Sequence, residues 1–221
     1  MHNSPLGVSI SNQVRLAYLY LQSRRAGWAA LYLTGIAAFV AGLRFGLREM
    51  GRQGGDPFTN SFDGSPVPFV LLFVPLAAAM VIGVAVHSPF GEMERTTSRR
   101  QPPLRLGHAG GLLLCGVAIL SLLALTWDGD SERVFLRNLA GLTGVGLLTA
   151  PVFGARLSWV PSLSYGIAAF WVGSFGEAPK WAWPMRPMDD NLAWGIALVL
   201  LAAGLAALVG FGARDTADET P

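Results

Sequence analysis

Apolar positions in this chain do not alternate with polar ones. They fall in long runs separated by short polar stretches. Alternation is the mark of a membrane β-barrel, whereas runs of about 20 apolar residues predict membrane-spanning helices. Six such runs are present, at residues 26–43, 67–86, 106–127, 138–155, 157–175 and 192–212. Arg24, Arg25 and Arg44 bound the first, and Arg137 and Arg156 bound the fourth. The fourth and fifth runs are nearly continuous and together too long for one span. Arg156 and Pro161 supply a turn between them, so they divide within residues 154–161. Six spans leave only tails and short loops, so residues 1–221 are expected to form a single all-α transmembrane domain.

Composition supports that picture. Hydrophobic residues make up 52% of the 221 positions and charged residues 14%, against about 25% charged in an average soluble domain. A disordered chain is excluded, and the composition counts against a soluble globular domain. The formal net charge is +2, but the basic residues sit beside apolar runs, where they orient helices in a bilayer. No nucleic-acid partner is expected. With the N-terminus inside, nine arginines fall in the inner segments, against seven Lys or Arg in the outer ones. The positive-inside rule then places both termini in the cytoplasm. Residues 1–13 are mildly polar and lack the pattern of a cleavable signal peptide.

Three segments outside the spans carry further signals. In residues 13–25, Val14, Ala17, Tyr18 and Leu21 recur at helical spacing, with Arg15, Arg24 and Arg25 among the polar positions. This predicts an interfacial amphipathic helix in contact with lipid, or else a simple extension of the first span. In residues 88–103, Ser88 and Pro89 can start a helix, Glu92 and Glu94 lie early and Arg99 and Arg100 late, as the helix dipole prefers, and Glu92, Arg95 and Arg99 line one face. Phe90 and Met93 share one weakly apolar face, and Pro102 and Pro103 end the segment. It reads as a short cytoplasmic helix that docks a soluble partner, or as a solvated loop whose arginines set topology. Residues 176–191 are rich in proline and carry Trp181 and Trp183. These tryptophans suit an aromatic belt on the outer side or a half-inserted segment.

Catalytic chemistry is sparse. No Asp, Glu, Lys or Arg lies inside a proposed span except at its edges, which counts against an ion-coupled transporter. Thr34, Ser121, Thr143, Thr149, Ser162 and Ser164 are neutral hydroxyls that can bond to a carbonyl one turn back. His2, His87 and His108 lack metal-ligand spacing, and His87 and His108 read as interfacial side chains. There is no P-loop, and residues 173–176 fall short of a complete GxSxG. Cys115 has no partner cysteine. No catalytic residue, cofactor or metal is expected. Small residues cluster as Gly35, Ala38 and Gly42 in the first run and from Gly141 to Gly146 in the fourth, suiting close helix approach within the chain or in a dimer.

The order of these parts resembles the six-span permease subunits of ABC-2 type exporters, especially small actinobacterial ones encoded beside a separate ATPase. The wording from Ser88 to Arg95 after the second run, and from Arg156 to Pro161 before the fifth, is similar to theirs. Membership would make residues 13–25 the connecting helix and residues 89–100 the coupling helix. Phe90, Glu92, Met93, Glu94, Arg95, Arg99 and Arg100 would then face the ATPase. ATP hydrolysis would belong to that partner, so this chain would be no enzyme. Two permease subunits, identical or different, would form the pathway in a bacterial plasma membrane, for an amphipathic substrate. A non-transporting scaffold or accessory subunit of another membrane complex is the alternative reading.

Overall fold

The computed structural model describes residues 26–51, 67–86, 101–124, 131–154, 157–175 and 178–211. Among them the chain is all-helical. Six α-helices occur in the order expected: α1 (Ala26–Gly51), α2 (Val67–Ala85), α3 (Gln101–Ala124), α4 (Ser131–Phe153), α5 (Trp159–Gly173) and α6 (Asn191–Phe211). A single turn of 3-10 helix, Trp183–Met185, lies between α5 and α6. Four helices, α2, α3, α4 and α6, are long and apolar enough to cross a membrane, while the apolar stretch of α1, Gly27–Gly42, is shorter. α5 has 15 residues, a rise of about 22 Å against a hydrocarbon core of about 30 Å.

The helices begin and end for local reasons. Pro102 and Pro103 fall in the first turn of α3, where a missing N–H costs nothing. They open this helix, and the segment expected to end at them lies outside the described residues. Gly154 follows α4 with a φ of 78°, the left-handed conformation that glycine adopts freely at a helix end. Leu157 N–H returns to the Gly154 carbonyl at 3.2 Å, completing the turn into α5. The expected turn is therefore at Gly154, and Pro161 lies beyond it inside the first turn of α5.

Several boundaries correct the sequence reading: α1 continues eight residues past Leu43 to Gly51, and α3 begins five residues before Leu106. α4 starts at Ser131, seven residues before the expected start at Asn138. Val134, Phe135 and Leu136 supply apolar surface ahead of Arg137, so the helix runs through the charge. Arg137 and Asn138 therefore lie inside α4 and are fully buried. The expectation that the spans hold charge only at their edges does not survive this.

α4 is the centre of the bundle, touching α2, α3, α5, α6 and the 3-10 turn. At the two extremes burial and apolarity are opposed. The share buried is 61% for α4, the most polar of the four long helices, and 22% for α6, the most apolar. A helix facing lipid must be apolar all round, whereas a central helix can carry small and polar residues. Large side chains exposed on the outside fit the same solvent: Trp28, Phe39, Phe45, Phe69, Trp171, Val199 and Phe211.

The glycine cluster of α4 is used within the chain. A Cβ on Gly144 would sit 2.5 Å from the Leu200 carbonyl oxygen, and one on Gly204 would sit 2.5 Å from the Gly144 carbonyl oxygen. The backbones of α4 and α6 touch there, which only glycine permits. By contrast, Gly35 and Gly42 of α1 meet nothing within 4 Å.

Candidate functional site

Polar side chains converge where α4 and α6 begin, and we call this the clasp end. Arg137 sits in the second turn of α4 with no exposed surface. Its Nη1 donates to the Pro187 carbonyl at 2.8 Å, and its Nη2 to the carbonyls of Arg186 at 2.9 Å and Pro184 at 3.2 Å. Its Nε reaches Asn138 Oδ1 at 3.4 Å. Four bonds thus engage a guanidinium that carries five N–H groups. Asn138 Nδ2 donates in turn to the Pro184 carbonyl and to the Leu71 carbonyl of α2, each at 3.1 Å.

The acceptors come from residues 184–187, a stretch whose composition explains its shape. Proline has a carbonyl but no N–H and a fixed φ. Pro184 and Pro187 therefore present acceptors without leaving donors that need partners. The same stretch lodges apolar groups. Trp183 is buried beside Gly141, where a Cβ would fall 2.7 Å from the indole Cζ2. Tyr165 of α5 stacks on Trp183 with centroids 6.2 Å apart, and its hydroxyl donates to the Trp181 carbonyl. Met185 fills the space above Gly173.

Residues 178–190 are also tied to themselves and to α6. Arg186 Nη1 donates to the Ala178 carbonyl at 3.1 Å, and its Nε pairs with Asp190. Asp190 caps α6, its Oδ1 accepting from Leu192 N–H at 2.8 Å and Ala193 N–H at 3.2 Å. The Trp194 indole N–H donates to the Met188 carbonyl at 3.2 Å. The Arg133–Asp189 pair, 3.7 Å apart with both side chains exposed, adds little.

Arg186 beside Asp190 holds the Asp190 carboxyl below its usual range, helped by the two backbone N–H groups of α6. A lowered carboxyl pKa stabilises the fold fully above the unfolded value of about 4 and loses that effect as pH falls through the folded value. The thermal midpoint of the wild-type chain should therefore exceed that of Asp190→Asn at neutral pH. The gap should close as pH drops below about 4, and a gap independent of pH would refute the pairing.

The opposite end is tied by hydroxyls and one imidazole. His108, buried between α3 and α2, places Nε2 3.1 Å from the Ala85 carbonyl, so it bridges two helices. Thr34 and Thr149 bond one turn back, to Ala30 at 2.8 Å and Val145 at 2.9 Å. Ser162 instead crosses to the Leu142 carbonyl of α4 at 3.3 Å. Thr143 is buried with no partner for its hydroxyl.

The sequence-derived candidates divide sharply. Phe90, Glu92, Met93, Glu94, Arg95, Arg99 and Arg100, and likewise Arg15, Tyr18, Arg24 and Arg25, lie outside the described residues. Of the two expected anchors, Trp181 is 49% exposed. Trp183 is buried against α4, where Gly141 leaves a slot that fits its ring. Arg137 and Asn138 are absent from the sequence-derived candidates. The available signal is the pair itself, flanked by Phe135-Leu136 and Leu139-Ala140, fifty residues before a proline-rich loop. Among the described residues no group of three or more His, Cys, Asp or Glu could hold a metal ion.

No family model, no curated protein and no solved structure matches the chain. The geometry therefore carries the functional argument alone. A guanidinium bonded on four sides has little left to offer a substrate. The clasp ties α4 to α2 and to the segment before α6.

Proposed function

We propose that this chain is the membrane-spanning permease subunit of an ATP-driven exporter of the ABC-2 type. All six helices cross the bilayer in this reading, both termini are cytoplasmic, and residues 13–25 form an interfacial helix. The observation that supports the reading is that the segment between α5 and α6 folds back onto α4, with Trp183 buried and residues 184–187 bonded to Arg137 and Asn138. An aromatic, proline-rich outer segment at this position, a tight α4–α5 turn and a charged segment between α2 and α3 are the features of the resemblance. In this arrangement residues 89–100 lie at the end opposite the clasp and dock an ATPase through Glu92, Glu94, Arg95 and Arg99. Two permease subunits, alike or different, complete the pathway, and ATP is hydrolysed by the partner. The location is then a bacterial plasma membrane.

Purification of the tagged chain from its native membrane in mild detergent tests this directly. A stoichiometric P-loop ATPase is expected to accompany it, and joint replacement of Glu92, Arg95 and Arg99 by alanine should release that partner while the chain stays folded. A clean complex without any ATPase would favour an accessory subunit of another membrane assembly. An ATPase retained by the triple variant would remove the coupling assignment.

A further inference from the structure

We propose that residues 182–187 form a lid over the clasp end of the bundle, held shut by Arg137 as a single latch. The proposal stands on the geometry and does not depend on the exporter reading. Three observations carry it.

First, the bonds that Arg137 makes across to this segment leave from one side chain. The carbonyls of Pro184, Arg186 and Pro187 all accept from the Arg137 guanidinium, and Asn138 adds one bond to Pro184. Displacing the segment breaks them together, so opening is cooperative and not a progressive fraying.

Second, the segment keeps its own shape without α4. Arg186 bridges Ala178 and Asp190, Asp190 caps α6, and Trp194 holds the Met188 carbonyl. These ties root residues 186–190 on α6 and do not involve Arg137. Released from α4, the segment can swing about this root as one piece.

Third, the open state has a place for the charge. Arg137 is six residues into α4 from Ser131, about 9 Å along the axis. From that depth a long basic side chain can reach the headgroup region and exchange carbonyls for water or phosphate. The carbonyls of 184–187 become hydrated on the same movement. Among the described residues no carboxylate bonds to Arg137. The charged part of the hold on the closed state is therefore cation-to-carbonyl bonding, weaker than a paired carboxylate would give.

The experiment is thiol accessibility in the full chain, purified in mild detergent, with Cys115→Ala as background. Ala182, the fully buried first residue of the segment, is replaced by cysteine to report the lid. Ala150, buried toward the far end of α4, is replaced separately to report the bundle. When closing is fast, labelling by a small maleimide follows the open population. Arg137→Gln is expected to speed labelling at 182 by about tenfold or more and to leave the rate at 150 unchanged. Arg137→Lys, which keeps the charge but loses the planar fork, should fall between. Unchanged labelling at 182 would show that Trp183 and Met185 hold the segment without a latch. A parallel rise at both positions would show that Arg137 supports the whole bundle, and either result overturns the proposal. Should Arg137→Gln fail to fold, the Lys variant supports the same comparison.

Discussion

Replacing Gly144 by alanine is expected to force α4 away from α6 and to cost about 3 kcal/mol. The added methyl would meet the Leu200 carbonyl oxygen at 2.5 Å. A flexible side chain could turn aside, but peptide backbone cannot. The reciprocal change, Gly204→Ala, meets the Gly144 carbonyl oxygen at the same distance and should cost a similar amount. In lipid there is little hydrophobic drive to hold two apolar helices together, so close van der Waals packing supplies most of the attraction. Separation by a single methyl therefore removes much of what joins α6 to the bundle. Gly35→Ala is the control, because nothing lies within 4 Å of that position. It should shift stability by less than about 0.5 kcal/mol. Unfolding of the purified variants in detergent measures all three, and equal stability of the Gly144 and Gly35 variants would refute the α4–α6 contact.

This pair shows what the sequence can and cannot convey. The run from Gly141 to Gly146 announces close approach, since small residues in an apolar helix have few other uses. It does not say what approaches. Gly141 admits an indole, Gly144 admits a backbone, and Gly35 admits neither. Partner identity is a long-range fact, and residues 141 and 183 are related only by the folded chain. Helix existence is legible for a simpler reason. In hydrocarbon every backbone group must bond within its own segment, so length and apolarity decide. The start of α4 is misplaced when a charge counts as a boundary. That rule assumes lipid or water around the residue, and Arg137 has neither. It is surrounded by carbonyls that lie about fifty positions further on. The same long-range supply explains Trp183. A tryptophan in a proline-rich loop signals an interface when it is judged by neighbours in sequence. Here the prolines turn their carbonyls toward α4, and the ring follows them inward.

The second large effect concerns that ring. Gly141→Ala places a methyl 2.7 Å from the Trp183 Cζ2 and closer still to the ring's outer edge. The indole must leave its slot, and the stacking on Tyr165 goes with it. Trp183→Ala empties the same slot from the other side. Each change alone should cost about 3–5 kcal/mol, the range for losing a large buried aromatic. Their combination should not cost the sum. With the indole absent, the methyl added at position 141 enters a vacant space and fills part of the cavity. The double variant is therefore expected to be no less stable than Trp183→Ala alone, a coupling of about 3 kcal/mol or more between residues in direct contact. Simple additivity would mean that the two residues do not share a site. The cycle also separates two reasons for the burial of Trp183. If ring packing alone seats the segment, the cycle closes in the same way with Arg137→Lys as background. If the Arg137 bonds seat it first, the single-variant costs shrink in that background, because the ring is already partly released before either substitution is made.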